Sequence, residues 1–363
     1  MKAVLRIIIA LIFIASGFVK AVDVVGFSFK LEEYFSPSVF NLPFLEAQSL
    51  AIAIFVVVLE LILGFMLLLK IRLKLTLSAL IALCVFFAFL TFYSAYFDKV
   101  TDCGCFGDAL KFTPWQSFTK DLILLFGLLV IWFLYRNSFN ILERKNSYRY
   151  IMLSVFAVGM AIVITHGISH EPLIDFRDYK IGTDLNAEKA KIEKDPSEFK
   201  TFYSLKNKKT GEILDVNQDD YVNDKKYWEE NSPWEIEEGK TSSKMMKEGY
   251  SSEISKFKPE TAEGNDLTEK ILKSPKAILI FSYHPENIDQ ELLAKTEAKI
   301  KAEKADLVLG ISTLPNTFKT IENAMMDGTA IKTIARSNPF VMILEKGKII
   351  DKKSAKDYLK DQK

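Results

Sequence analysis

The chain has 363 residues, a formal net charge of +1 at pH 7 and a mean hydropathy of +0.11. The near-neutral balance lacks the basic excess that is typical of nucleic-acid-binding proteins, so we expect no nucleic-acid partner. Three cysteines are too few for a disulfide-rich scaffold.

These averages conceal two different halves. Residues 1–169 alternate long apolar runs with short polar segments, whereas most charged residues follow His170. A change of composition on this scale predicts a domain boundary near His170.

Five apolar segments of the first half are long enough to cross a membrane, which requires about 20 residues each. They lie at about 4–22, 47–69, 74–97, 118–136 and 149–169. A cleaved signal peptide is the alternative for the first segment, but its apolar run continues to Val22, so we interpret it as an uncleaved span. The expected fold of this half is an all-α membrane helix bundle in contact with lipid.

Lysine and arginine are concentrated at alternate ends of these segments, and such residues favour the cytoplasmic side of a membrane. They are Lys2, Arg6, Lys70, Arg72, Lys74, Arg136, Arg144, Lys145 and Arg149. The pattern predicts a cytoplasmic N-terminus and, after five spans, a periplasmic C-terminal domain on a bacterial inner-membrane protein.

Two cysteines, Cys103 and Cys105, flank Gly104 in the second predicted external loop. Thiols in an oxidising compartment form or exchange disulfides, and a disulfide in so small a ring is expected to be reduced readily. A static disulfide that clips the loop is the alternative, because the flanking aspartates would raise the thiol pKa and slow exchange. Spacing alone leaves both interpretations open.

Three motifs of the membrane half are distinctive: Ser16-Gly17-Phe18-Val19-Lys20-Ala21-Val22-Asp23, Glu60-Leu61 and Cys103-Gly104-Cys105-Phe106-Gly107-Asp108. Through these motifs the membrane half, over about residues 1–140, resembles DoxX-like proteins and the methylamine utilisation protein MauE. The resemblance implies a four-helix membrane core, here with one extra span, that assists electron transfer or disulfide formation beside a thioredoxin-like partner. A looser similarity to the DsbB and VKOR bundles implies a quinone cofactor, although their usual Cys-x-x-Cys pair is absent here.

Glu60 is predicted near the middle of the second span, about ten residues from Lys70. A carboxyl at that depth is a candidate proton carrier, or else a protonated group that fixes helix packing. We expect Lys20 and Asp23 near the outer surface, explained by a salt bridge or by snorkelling, and Cys84 as a packing thiol.

His166 and His170 are four residues apart at the end of the fifth span, so they share a helix face. Together with Cys103 and Cys105 they form a conceivable zinc site. The alternative is that these histidines only hydrogen-bond to water.

The C-terminal half begins with a polar stretch, residues 176–258, in which Thr201–Leu205 and Ile213–Val216 predict a hairpin. From residue 259 strands and helices alternate, which predicts a small α/β sandwich. The predicted strands are Ala277–Tyr283, Leu307–Ile311, Phe340–Leu344 and Lys348–Asp351, and the predicted helices are Ile288–Lys304 and Lys319–Met326.

This last region resembles a thioredoxin fold, with Ala277–Tyr283 as its central strand and Pro339 at the cis-proline position. After that strand thioredoxins carry Cys-x-x-Cys, but this chain has Ser282-Tyr283-His284-Pro285-Glu286-Asn287. We therefore expect no disulfide exchange there. His284 is interpreted as an exposed loop residue, with ligand binding as the alternative.

The sequence thus predicts four regions: a DoxX/MauE-like membrane domain (1–140), a fifth transmembrane helix (141–175), a polar extracytoplasmic linker or insertion (176–258) and a degenerate thioredoxin-like domain (259–363). The leading hypothesis is an accessory protein for thiol–disulfide or electron-transfer maturation outside the cytoplasm, with Cys103, Cys105 and Glu60 at its site and an external client or redox protein as its partner. The rival is a non-catalytic scaffold whose external domain binds a client.

Overall fold

The computed structural model describes residues 2–97, 100, 104, 106–110, 112–139, 147–237, 240–247 and 249–361. The chain divides into two compact units, one formed by residues 1–182 with 259–363 and the other by residues 183–258. Cys103 and Cys105 lie outside the described residues.

Five helices of the first half are long and apolar enough to span a membrane, which confirms the predicted bundle. The helices of this half are α1 (Lys2–Val22), α2 (Val24–Phe35), α3 (Pro43–Glu46), α4 (Ser49–Leu69), α5 (Leu73–Phe97), α6 (Pro114–Tyr135) and α7 (Ser147–Ser169). The spans are α1, α4, α5, α6 and α7. Helix α6 begins four residues before its predicted start, because Thr113 and Gln116 form a capping box around Pro114.

Helices α1 and α4 pack closely, and glycine makes the approach possible. A Cβ added to Gly17 would lie 2.9 Å from Cγ of Leu61, and one added to Gly64 would lie 3.2 Å from Cβ of Phe13. Because Lys20 follows Gly17 by one helical turn, this contact brings the end of α1 beside Glu60 of α4.

One end of the bundle collects basic side chains. The Arg6 guanidinium donates to the Leu67 and Leu68 carbonyls at the end of α4, and Arg149 donates to the Lys70 carbonyl at 3.4 Å. Cationic groups stabilise the free carbonyls of a helix C-terminus. The opposite end, where α1 and α7 finish and α6 begins, contacts residues 259–361 and is called the domain end below.

Residues 259–361 form a mixed five-stranded sheet. Its strands are β5 (Ala277–Ser282), β6 (Leu307–Ser312), β7 (Glu322–Met325), β8 (Phe340–Glu345) and β9 (Lys348–Ser354), and the helices of this region are α10 (Thr268–Lys273), α11 (Gln290–Ala302), α12 (Gly328–Ile334) and α13 (Ala355–Lys360). The strand order is β7-β6-β5-β8-β9. Strand β5 is central and fully buried, parallel to β6 and antiparallel to β8. This confirms the α/β region, which is called the C-terminal domain below.

The predicted helix over Lys319–Met326 is wrong. Residues Glu322–Met325 form the edge strand β7, which pairs in parallel with β6 and bridges to Glu260. The side-chain amide of Asn323 donates hydrogen bonds to the Phe318 and Ile321 carbonyls, and those two bonds hold the preceding residues in a loop. The peptide bond between Asn338 and Pro339, just before β8, is cis.

The second unit has a four-stranded antiparallel sheet in which β1 pairs with each of the other strands. Its elements are α8 (Leu185–Lys194), β1 (Glu198–Asn207), β2 (Ile213–Asn217), α9 (Gln218–Asn223), β3 (Trp234–Ile236) and β4 (Ser242–Lys247). The predicted hairpin is confirmed as β1 and β2, with Gly211 at positive φ in its turn.

Candidate functional site

A buried ion pair joins the first two spans. The ammonium of Lys20 lies 2.9 Å from Oε2 and 3.2 Å from Oε1 of Glu60, and it also donates to Oγ of Ser16 at 2.7 Å. The Lys20 and Glu60 residues are each only 2% exposed. This geometry satisfies the hydrogen-bonding demand of both charges, which burial of an ion pair requires.

The position of Lys20 differs from the expected one near the outer surface. Side chains of a helix point toward its N-terminus, and the N-terminus of α1 is at the opposite end of the bundle. The Lys20 stem therefore runs inward to the level of Ser16, one turn deeper than its own Cα. The expectation from the sequence rested on the backbone position of Lys20, so Glu60 was not identified as the partner of its ammonium.

A second charged group lies beside this pair, on α6. Asp121 is 3% exposed; its Oδ1 is 2.8 Å from the Lys120 ammonium and its Oδ2 accepts from the Thr91 hydroxyl at 3.1 Å. Cys84 of α5 donates its thiol hydrogen to the Asp121 carbonyl at 3.2 Å, which agrees with its predicted packing role. Asp121 was missed from the sequence, although an aspartate within an apolar 20-residue run is a sufficient signal of a functional candidate.

These groups surround a small cavity within the bundle, with a volume of about 10 Å³. Its lining is shared among four spans and the loop before α6: Ile12, Phe13, Ser16, Lys20, Glu60, Cys84, Phe87, Phe106, Lys120, Asp121 and Leu124. A cavity of that size holds about one water molecule. It has no space for a quinone ring, so these residues do not fit the quinone that the DsbB and VKOR similarity implies.

The described residues of the cysteine loop contact both the cavity and α2. Phe106, next in the chain after Cys105, lines the cavity, and the Lys120 ammonium lies 5.3 Å from its ring centroid. Gly104, between the two cysteines, has φ of +65° and packs on the Lys30 stem, where an added Cβ would lie 2.9 Å from Cγ. Gly107, also at positive φ, donates to the Gly104 carbonyl at 3.0 Å. Both glycines thus support the tight turn.

The C-terminal domain contacts the same end of the bundle through Arg336, which lies between α12 and β8. Its guanidinium is 2.8 Å from Oδ2 of Asp23 and 2.8 Å from Oδ2 of Asp108, and its side chain is only 4% exposed. Burial raises the pKa of Asp23, but Arg336 and Arg177 outweigh burial, so the net pKa lies below its ordinary value. Arg336 therefore ties the end of α1 and the cysteine loop to the C-terminal domain.

The loop after the central strand β5 contacts helix α2. The Tyr283 ring packs edge-on against Phe29 with 5.1 Å between centroids. Oε1 of Glu32 is 2.6 Å from the Lys332 ammonium and 3.5 Å from Nε2 of His284. The hydrogen bond to Glu32 raises the pKa of His284 above its ordinary value. His284 is thus half-buried in this contact.

A second anchor follows the fifth span. Arg177 is buried, pairs with Glu171 and with Asp175, and donates to the Ile334 carbonyl at 2.8 Å. The Lys352 ammonium of β9 is 2.5 Å from Asp175. Burial and the neighbouring Arg177 lower the pKa of Lys352 to about 8.

His166 and His170 share a helix face as predicted, with 4.8 Å between ring centroids. Nδ1 of His170 lies 2.8 Å from Oδ2 of Asp357. Within the described ranges, which omit Cys103 and Cys105, no group of three or more His, Cys, Asp or Glu side chains is placed to hold a metal ion. The metal site at His166 and His170 stays a prediction.

Comparison with known proteins gives one family. The model of the family described as methylamine utilisation protein MauE matches residues 1–134. No curated protein matches the chain, and no solved structure does. The bundle is therefore similar to MauE over its first four spans, and the five spans together with this match indicate a multi-pass membrane protein.

Proposed function

We propose that this protein is an inner-membrane accessory for thiol–disulfide or electron-transfer maturation outside the cytoplasm, with Cys103 and Cys105 as its exchanging pair. The observation that carries the proposal is the position of Phe106. This residue follows Cys105 directly and lines the cavity that contains Lys20, Glu60 and Asp121. Phe106 would then connect the redox pair to a group of buried side chains that can bind protons.

The exchange step balances without a cofactor. A client thiolate would attack the Cys103–Cys105 disulfide, form a mixed disulfide and release one cysteine of the pair as a thiolate. The second client thiol would then attack the mixed disulfide. The client gains a disulfide, and the pair takes up two electrons and two protons, for which Glu60 is the proposed nearby proton site.

We also propose a thioredoxin-like fold for residues 259–363. Its support is the order β6-β5-β8-β9, in which β5 is parallel to β6 and antiparallel to β8. The cysteines of the chain all lie before residue 106, so this domain would serve in binding and not in exchange. Its contact with Asp108 would hold it beside the cysteine loop.

The proposed orientation has a cytoplasmic N-terminus and an external C-terminal domain. It is supported by Arg6, Lys70 and Arg149, which meet at the end of the bundle opposite the C-terminal domain. Basic residues prefer the cytoplasmic side. The domain end, with the cysteine loop, would then face the oxidising compartment.

A scaffold without thiol chemistry is the second candidate. The ion pairs of Arg336 and Lys332 favour it, because they fix the C-terminal domain on the bundle whether or not the cysteines react. In that case Cys103 and Cys105 would form a static clip, and the free surface of the domain would bind the client.

Trapping of a mixed disulfide tests the proposal. A single-cysteine variant cannot form the pair's disulfide, but its remaining thiolate can still attack an oxidised client in the reverse of this step, and no second pair thiol is then available to displace the client. Cys105→Ser and Cys103→Ser variants expressed in cells should therefore each accumulate adducts that dithiothreitol releases. The double variant retains only Cys84 and is the matched control. If neither single variant forms adducts above this control, the thiol-exchange proposal is wrong and the scaffold is favoured.

A further inference from the structure

The charges around the bundle cavity compensate one another. Lys20 and Lys120 are opposed by Glu60 and Asp121, and the titratable or polar groups that complete the lining are Ser16 and Cys84. Thr91 contacts Asp121 from outside the lining. The net formal charge is zero, and the volume of about 10 Å³ accommodates about one water molecule. Both facts argue against a bound inorganic ion and favour a site whose exchangeable species is the proton.

The cavity connects to the surface of the bundle through α6. The Lys120 side chain is 22% exposed and lies 2.8 Å from Asp121, whose own side chain is only 4% exposed. Beyond Asp121 the cavity leads to Glu60 and Lys20, whose side chains are 3% and 1% exposed. One cavity thus joins a pair with a partly exposed ammonium, Lys120 and Asp121, to a fully buried ion pair, Lys20 and Glu60.

Phe106 is the aromatic residue of the lining that comes from a loop, whereas Phe13 and Phe87 belong to spans. Phe106 is half-buried, lines the cavity and contacts Lys120 through its ring face. Because it belongs to the cysteine loop at the domain end, its side chain is the part of the lining that no span holds in place. Displacing the ring would open the cavity to water without moving a helix.

We propose that this cavity is a proton-exchange site, in which Glu60 and Asp121 take up and release protons through a single water molecule, and that the Phe106 ring controls its access from the domain end. Delivery of these protons to Cys103 and Cys105 rests on the proposed function. Proton exchange in the cavity and the control of access by Phe106 do not rest on the proposed function, so both are tested in a variant that lacks both loop cysteines.

Cys84 is a built-in reporter of access, because it lines the cavity and is the remaining thiol in a Cys103→Ser/Cys105→Ser background. The protein in nanodiscs is labelled with a small charged methanethiosulfonate at fixed pH. We expect Cys84 to be labelled slowly when Phe106 is present and at a similar rate in Phe106→Leu. In Phe106→Ala the labelling rate of Cys84 should be several-fold faster. The matched control is Phe112→Ala, since Phe112 packs 5.8 Å from Phe106 but does not line the cavity.

Equal labelling rates for Phe106→Ala and Phe112→Ala, or fast labelling with Phe106 intact, would overturn the gate. The Phe106→Leu variant separates gating from collapse of the loop, because a collapsed loop would accelerate labelling in all three variants.

Proton exchange is measured by infrared difference spectroscopy of the same double-serine protein between two values of external pH. A carboxylic C=O band that changes with pH should be lost or shifted in Glu60→Gln or in Asp121→Asn, and unchanged in Glu46→Gln, which lies outside the cavity. If no carboxyl band responds to pH, or if the band is unaffected by both substitutions, the cavity is a static polar contact and the proposal fails.

Discussion

The Lys20 ammonium lies 2.9 Å from a Glu60 carboxylate oxygen, and the two residues come from different spans of an apolar bundle. Removing one charge of a buried pair leaves the other uncompensated, which costs about 3–5 kcal/mol, whereas replacing both by apolar residues of similar volume is often neutral. The pair therefore stabilises the contact between α1 and α4 only while both charged partners are present.

Lys20→Met should lower the free energy of unfolding by about 3–5 kcal/mol, because it leaves Glu60 without its cation. Lys20→Met/Glu60→Leu should recover most of that loss. Unfolding in detergent followed by circular dichroism measures both. A double variant as unstable as Lys20→Met would show that the partners are not coupled.

Arg336→Met should release the C-terminal domain from the domain end, because one guanidinium contacts both Asp23 and Asp108. Arg336→Lys should rescue poorly, since a single ammonium cannot reproduce the two-sided contact. Spin labels at exposed Phe44 and Leu314 measure the distance distribution, which should broaden in both variants.

Lys270→Met is the control for this experiment, because it removes an exposed ion pair with Glu322 inside the C-terminal domain. Exposed pairs contribute about 0–1 kcal/mol, so the distribution should stay narrow. An unchanged distribution in Arg336→Met would contradict the anchoring role of Arg336.

Gly26→Ala should weaken the same contact without altering a charge. An added Cβ would lie 2.5 Å from Oδ2 of Asp23 and 2.8 Å from Nη2 of Arg336, so the carboxylate and the guanidinium would have to separate. The spin-label distribution should broaden as in Arg336→Met. Gly159→Ala is the matched control, since a Cβ there meets nothing within 4 Å.

Contact between the C-terminal domain and the bundle should weaken as pH rises from 6 to 8. The pKa of His284 is raised by its hydrogen bond to Glu32, so its stabilisation is complete below the free value of about 6.5 and is lost as pH rises through the higher bound value. His284→Gln should abolish the pH dependence. Lys352, with a pKa lowered to about 8, acts in the opposite direction, and its effect begins at the upper end of this range.

The spin-label pair measures this dependence too, as the fraction of the broad component at each pH. A fraction that grows with pH in His284→Gln as it does in the parent protein would assign the effect to another group.

Much of the fold follows from local sequence. The five spans, the β1–β2 hairpin and the strands β5, β6, β8 and β9 were predictable, because each is an apolar run of suitable length or a pair of runs joined by a turn. Helix α2 was missed because its 12 residues are too few for a span and follow directly on α1, so the segment was interpreted as an external loop. Strand β7 was missed because its four residues owe their conformation to pairing with β6.

The site was predictable only in part. Glu60 stood out as a carboxyl within a span, but its partner depended on the direction of the Lys20 side chain and on the close approach at Gly17. The bridge from Arg336 to Asp23 and Asp108 joins residues more than 200 positions apart, which no local pattern encodes.

The redox state of the cysteine pair in living cells tests whether Cys103 and Cys105 exchange disulfides. In a Cys84→Ala background only Cys103 and Cys105 react with an alkylating reagent after acid trapping. The proposed function predicts that both thiol and disulfide forms are populated and that their ratio shifts with an external reductant or oxidant. A pair that stays fully oxidised under every condition would contradict it and identify a static clip.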